Sequence, residues 1–93
     1  MELDPNWADA YAHRGLILAE RGSYSQAIAD FDRALALNPR LANTWANRGL
    51  VFLMQGRLDE AELDLARCRD LGGKINPAVE KLLQQAREKT KKD

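Results

Sequence analysis

His13 and Cys68 are the only imidazole and the only thiol in this chain of 93 residues. Nucleophilic or acid–base chemistry needs such groups in pairs, and a metal centre needs three or four ligands at fixed spacing. A single histidine and a single, distant cysteine meet neither demand. Ser23 and Ser25 lie at a turn, where capping accounts for them. The carboxylates are scattered, and no glycine-rich loop stands ready to cradle a phosphate. The sequence is therefore read as noncatalytic, with no metal and no cofactor. The spacing that does suggest a pairing is Arg14 to Asp30, repeated as Arg48 to Asp64, sixteen residues apart in each case. A guanidinium fork matches a carboxylate edge to edge. Three arrangements stand open. The arginine and aspartate bridge the two helices of one hairpin; Asp30 reaches Arg48 across hairpins; or the arginine stems cover apolar surface while the heads stay in water.

Lysine plus arginine and aspartate plus glutamate balance at 14 each, so no global charge calls for nucleic acid or an anionic membrane. Lys89, Lys91 and Lys92 sit where cations complement a helix C-terminus; a nucleic-acid tail is the sharper alternative. No apolar run is long enough to cross a bilayer. One unpaired cysteine fits a reducing, cytoplasmic setting.

The elements that would position these side chains repeat. Ala12-His13-Arg14-Gly15-Leu16 returns as Ala46-Asn47-Arg48-Gly49-Leu50, and Gly22, Ala27, Asp30, Arg33 and Leu37 return as Gly56, Ala61, Asp64, Arg67 and Leu71, each 34 residues later. A period of this size points to stacked helical hairpins, which make binding surfaces more often than active sites. Breakers at Asp4-Pro5, Gly22, Asn38-Pro39, Gly56, Gly72-Gly73 and Asn76-Pro77 divide an Ala-, Leu- and Glu-rich chain into five helices, the first four over about residues 7–21, 24–37, 42–55 and 58–71 and the fifth beginning at 76. Ser23 with Gln26 has the form of a capping box; Arg57 replaces that serine, so the fourth helix should start less firmly. The second helix offers Tyr24, Ala27, Ile28, Phe31, Ala34 and Leu35 for burial, the fourth Leu58, Ala61, Leu65, Cys68 and Leu71. The fifth carries a narrow stripe of Val79, Leu82, Leu83 and Ala86, opens on Asn76 as N-cap with Pro77 at the first helical position, and reads as a solubilising cap.

The order Tyr11, Gly15, Leu18, Gly22, Tyr24, Ala27, Phe31, Ala34, Pro39, followed by Trp45, Gly49, Phe52, Gly56, Leu58, Ala61, Leu65, Cys68, resembles the tetratricopeptide repeat. The resemblance implies an all-α fold: an α-solenoid of two antiparallel helix hairpins in a right-handed superhelix, with a C-terminal capping helix. The whole chain then reads as one domain, with residues 1–7 as the end of a preceding repeat, 8–41 and 42–75 as two repeats, and 76–93 as the capping helix and basic tail. Gly15 and Ala27, with Gly49 and Ala61, should lie where paired helices cross. Cys68 takes the small-residue slot of Ala34 and reads as a buried hydrophobe. Gly72-Gly73 in place of Asn38-Pro39 suggests a looser last connection. Glu62 for Ile28 and Arg69 for Leu35 suggest an outer helix turned polar at the end of an array. Glu2-Leu3-Asp4-Pro5 resembles Ala36-Leu37-Asn38-Pro39, from which the chain is read as an excised or engineered fragment of a longer array, its first helix baring Trp7 and Ile17.

In the resembled family the first helix of each repeat lines a concave groove that takes a peptide segment or helix of another protein. Carried onto this chain, the groove residues are Asp9, Ala12, His13, Leu16 and Glu20, then Asn43, Ala46, Asn47, Leu50 and Met54. Some family members clamp the C-terminal carboxylate of heat-shock chaperones through lysine and asparagine. Here Ala12 and Leu16 occupy the lysine and asparagine places, although Asn47 matches one clamp asparagine, so tight binding of an acidic tail is not expected. The expected function is a scaffold or adaptor; the alternative is a homo-oligomer formed through exposed repeat faces.

Overall fold

Glycine turns set the helix ends. The computed structural model describes residues 6–91, with side chains from 7 to 89, and contains α1 (Asn6–Glu20), α2 (Tyr24–Leu37), α3 (Ala42–Met54), α4 (Leu58–Asp70) and α5 (Pro77–Lys91). No strand occurs among the described residues. The segment read as the tail of a preceding repeat, Glu2 to Pro5, and the tail lysine Lys92 lie outside them.

α1, α3 and α4 each end in the same reversal. Gly22, Gly56 and Gly72 adopt positive φ of 81°, 77° and 84°. Each passes the chain into a residue whose N–H bonds back to the helix: Ser23 to the Leu18 carbonyl, Arg57 to Phe52 and Gly73 to Cys68, all at 2.9 Å. This is the Schellman closure, which satisfies carbonyls the helix leaves orphaned. It also corrects two expectations. Ser23 makes no side-chain cap, nor does Arg57, so α2 and α4 start alike, held by the backbone reversal. Arg57 instead grips Glu60 through two bonds of 2.7 and 2.8 Å. The Gly72-Gly73 connection is not loose: a Cβ on Gly73 would lie 2.7 Å from both the Ala42 Cβ and the Cys68 Sγ. At the two Asn-Pro turns the side chain supplies the bond. Asn38 Oδ1 accepts from the Arg40 amide, and Asn76 Oδ1 from the Ala78 amide at 2.9 Å, so Asn76 caps α5 as its sequence indicates.

α1 packs on α2 and α3 on α4 most extensively, α2 on α3 less, and α1 beside α3 and α4 beside α5 least. The hairpins close where the small residues stand. A Cβ on Gly15 would fall 2.7 Å from the Phe31 ring and 3.2 Å from the Ala27 carbonyl; one on Gly49 would meet the Asp64 Cβ, the Ala61 carbonyl and Leu65 at 3.1–3.3 Å. Ala27, Phe31, Ala34, Ala61, Leu65 and Cys68 are fully buried, and Phe52 nearly so. Val51 joins Ala27 and Phe31 in one cluster, linking the hairpins; Phe52, Leu53, Ala61, Leu65 and Leu83 form a second.

Several expected core positions are only half covered. Tyr11 and Trp45 are sandwiched by arginines rather than enclosed: Arg14 and Arg33 lie 5.5 and 5.6 Å from the Tyr11 ring centre, Arg48 and Arg67 5.0 and 5.5 Å from that of Trp45. The Trp45 indole also donates to the Pro39 carbonyl at 2.8 Å. Pro39 is exposed at its turn, and Leu18, Tyr24, Ile28 and Leu58 are half-buried. Leu71 and Leu82 are exposed, because α4 ends before Leu71 and α5 turns Leu83, not Leu82, toward Phe52 and Leu65. Nor is α4 polar simply because the array ends. Glu62 and Arg69, which replace the aliphatic pair of α2, clasp α5 through Arg87 at 2.6 Å and Glu80 at 2.8 Å. The two pairs share one antiparallel register, and both are substantially exposed, so they orient α5 more than they stabilise it.

Candidate functional site

α1 and α3 run side by side with one helical face each turned to the same concavity. Asp9, Ala12, His13 and Leu16 from α1 and Asn43 and Asn47 from α3 line a depression of about 390 Å³. A second, of about 260 Å³, lies on the other side of α3, lined by Asn43, Ala46, Asn47 and Leu50 together with Lys74, Ile75, Asn76 and Val79. Asn43 and Asn47, one turn apart, form the ridge shared by both. The inner surface thus crosses α1, α3 and the start of α5, transverse to the helix axes.

Eight of the ten groove residues read from the sequence line these two depressions. Glu20 and Met54 line neither; each ends its helix, one turn or roughly 6 Å beyond Leu16 and Leu50, and is exposed. Sequence reasoning missed Arg40, Leu41, Ala42 and Thr44 on the α1 side and the α5 contribution on the other. The available signal was the 34-residue register itself, which places Asn76 opposite Ala42 and so puts α5 where a third repeat's first helix would begin.

Chemically the wall is small and apolar at Ala12, Leu16, Ala46 and Leu50, with polar groups between. Among the described residues the side-chain amides of Asn43 and Asn47 make no hydrogen bond, which leaves their donors and acceptors open. Arg40 and Lys74 bring one cation to each depression, and Asp9 an anion to the first. No group of three or more His, Cys, Asp or Glu side chains able to hold a metal ion occurs among the described residues. Among the described residues no helix is long and apolar enough to cross a membrane.

The charge pairing lies elsewhere, between the helices of each hairpin. Arg14 donates Nε to Asp30 Oδ2 at 2.6 Å and Nη2 to Oδ1 at 2.9 Å. Arg48 grips Asp64 in the same way and adds Nη1 to Asp32 Oδ1 at 2.7 Å. Of the three arrangements open at the sequence level, the bridge within the hairpin is the one formed, and the cross-hairpin bond to Arg48 comes from Asp32 rather than Asp30. The hydrogen bonds from Arg14 hold the Asp30 carboxyl below the usual carboxylate range, against an opposing push from burial. Burial pushes the Cys68 thiol up, which leaves it less nucleophilic.

Residues 15–56 match the family model described as TPR repeat. This stretch of the chain is similar to the TPR repeat. The match runs from the crossing glycine of α1 to the turn glycine that ends α3, and the five helices with packed neighbouring pairs agree with a TPR-like α-solenoid. No curated protein and no solved structure was found to match the chain. TPR repeats are in general protein–protein interaction modules and typically noncatalytic.

Proposed function

We propose that this TPR segment holds an extended peptide segment of another protein across the inner face of α1, α3 and the start of α5. The observation carrying the reading is the Asn43–Asn47 ridge. Two side-chain amides stand between two depressions with no internal hydrogen-bond partner among the described residues, and each can pair with a main-chain amide as donor and acceptor together. Leu16 and Leu50 flank the ridge and supply apolar contact for side chains of the visitor. Two repeats give a short surface, so single-peptide affinity should be weak, around the micromolar range or above. An acidic tail clamped as in chaperone-binding relatives is not the expected ligand, since Ala12 and Leu16 bring no cation or amide to the wall.

The test is selection from a random peptide display library against the whole chain, followed by affinity measurement for the enriched sequences. Binding should fall at least about tenfold in Asn43→Ala/Asn47→Ala and in Leu50→Glu, and stay unchanged in Leu63→Glu, which alters an exposed residue of α4. Peptides that bind these groove variants as tightly as the parent chain would place recognition on another face.

A further inference from the structure

α5 is lightly anchored. α2, α3 and α4 each bury four or five residues; among the described side chains of α5, Leu83 alone is buried. Two ion pairs clasp the helix to α4, Arg87 to Glu62 and Arg69 to Glu80, and all four side chains are between 39 and 52 % exposed. Water and salt weaken pairs so placed. A helix with one buried anchor and solvated clasps opens ahead of the elements it rests on.

The same helix completes the inner face. In the depression of about 260 Å³, Ile75 and Val79 form part of the wall that stands across from Ala46 and Leu50 of α3. All four also pack against the apolar cluster that Leu83 shares with Phe52 and Leu65. Val79 lies one turn before Leu83 on the same helix face. The wall of the depression and the seat of α5 are thus one apolar body. If Leu83 lifts from Phe52 and Leu65, Val79 goes with it and the depression loses a side.

We propose that docking of α5 on α4 and occupation of the inner face are one linked equilibrium: only the docked helix offers the complete site, and a bound peptide holds the helix down. Leu83, Glu62 and Arg69 are then positioning residues, acting on a visitor that does not touch them. The proposal rests on the inner-face reading given above. Linkage makes the coupling reciprocal. Opening α5 weakens the peptide by the fraction of docked helix lost, and peptide makes the opening rarer by the factor 1 + [L]/Kd.

The experiment is native-state hydrogen exchange of the whole chain, read at the amides of Leu82, Leu83 and Ala86. The probe is a library-enriched peptide whose affinity falls in Asn43→Ala/Asn47→Ala. With free peptide at about ten times its Kd, protection of these α5 amides should rise about tenfold. Without peptide, Glu62→Arg sets two cations together and should lower α5 protection about threefold; Glu62→Arg/Arg87→Glu should restore it. Leu83→Asp should weaken the peptide at least about tenfold while the amides of α2 stay protected. α5 amides that ignore a peptide sensitive to Asn43→Ala/Asn47→Ala would overturn this proposal and leave the inner-face reading standing. So would unchanged peptide affinity in Leu83→Asp. The exchange measurement needs no substitution, so it decides the matter even if Leu83→Asp unfolds the hairpins. Enriched peptides that are all indifferent to Asn43→Ala/Asn47→Ala would defeat the inner-face reading itself, and the proposal with it.

Discussion

Arg48 and Asp64 meet through two parallel hydrogen bonds, Nε to Oδ2 at 2.8 Å and Nη2 to Oδ1 at 2.9 Å. Asp64 is 3 % exposed, and a carboxylate so enclosed is tolerable only with its charge matched. The remaining nitrogen of Arg48 reaches Asp32 of the neighbouring hairpin, so one guanidinium ties three helices together. Arg14 performs the within-hairpin half of this task only.

Arg48→Met should therefore destabilise the chain by about 2–4 kcal/mol, since it strands a buried carboxylate. Arg14→Met strands a similarly buried Asp30 but removes a far more exposed guanidinium that holds one carboxylate rather than two, and should cost less. Urea unfolding of both variants checks the order; equal losses would mean that the contact to Asp32 and the deeper burial contribute nothing.

The Asp30 carboxyl titrates below its ordinary range because Arg14 donates to it. Its contribution to stability is present above the unfolded value, about 3.9, and is lost as pH falls through the lower folded value. Wild type should lose stability below about pH 4 more steeply than Asp30→Asn. The variant should be less stable at neutral pH, and the two curves should converge in acid. Parallel curves from urea midpoints across that range would show that the pair is not coupled to protonation.

Gly49→Leu and Ala27→Phe should abolish cooperative folding. Even a methyl on Gly49 would press on the Ala61 carbonyl and the Asp64 Cβ, and Ala27 has no free surface. Overpacking a fixed helix crossing has no cheap relaxation. A cooperative melt at the wild-type temperature in either variant would contradict the hairpin geometry.

Cys68 should resist an aromatic disulfide reagent in the native chain and react readily in denaturant. Its side chain is buried and its thiol pKa is raised by desolvation. The native rate should track the free energy of opening; a native rate near the denatured one would place the sulfur at the surface.

What was legible in the sequence was set by local chemistry and by the repeat. Gly15 and Gly49 announced the helix crossings because only a hydrogen fits there, and the Gly and Pro breakers placed the ends of α1 to α4 within one residue. Arg14–Asp30 and Arg48–Asp64 could be proposed from spacing but not chosen over solvation, because that choice depends on how deeply the aspartates sink. The bond from Arg48 to Asp32 depends on the stacking of one hairpin on the next, and Asp32 has Ala66 as its counterpart, so the repeat gave no hint of it. The Ser23 cap failed because the backbone reversal at Gly22 already fixes the start of α2. The roles of Glu62 and Arg69 in holding α5, and of Lys74 and Val79 in lining the inner face, were hidden for a related reason: α5 reads as a polar cap until its register against α4 is known.

The account rests on the inner face of α1 and α3 being the surface that meets a partner. A residue-resolved NMR titration of the whole chain with an enriched library peptide tests this most directly. Amide shifts should cluster at Ala12, His13, Asn43, Asn47, Leu50 and Lys74. Shifts confined to the outer helices, at Gln26, Ala29, Leu63 and Ala66, with the Asn43–Asn47 ridge unmoved, would contradict it.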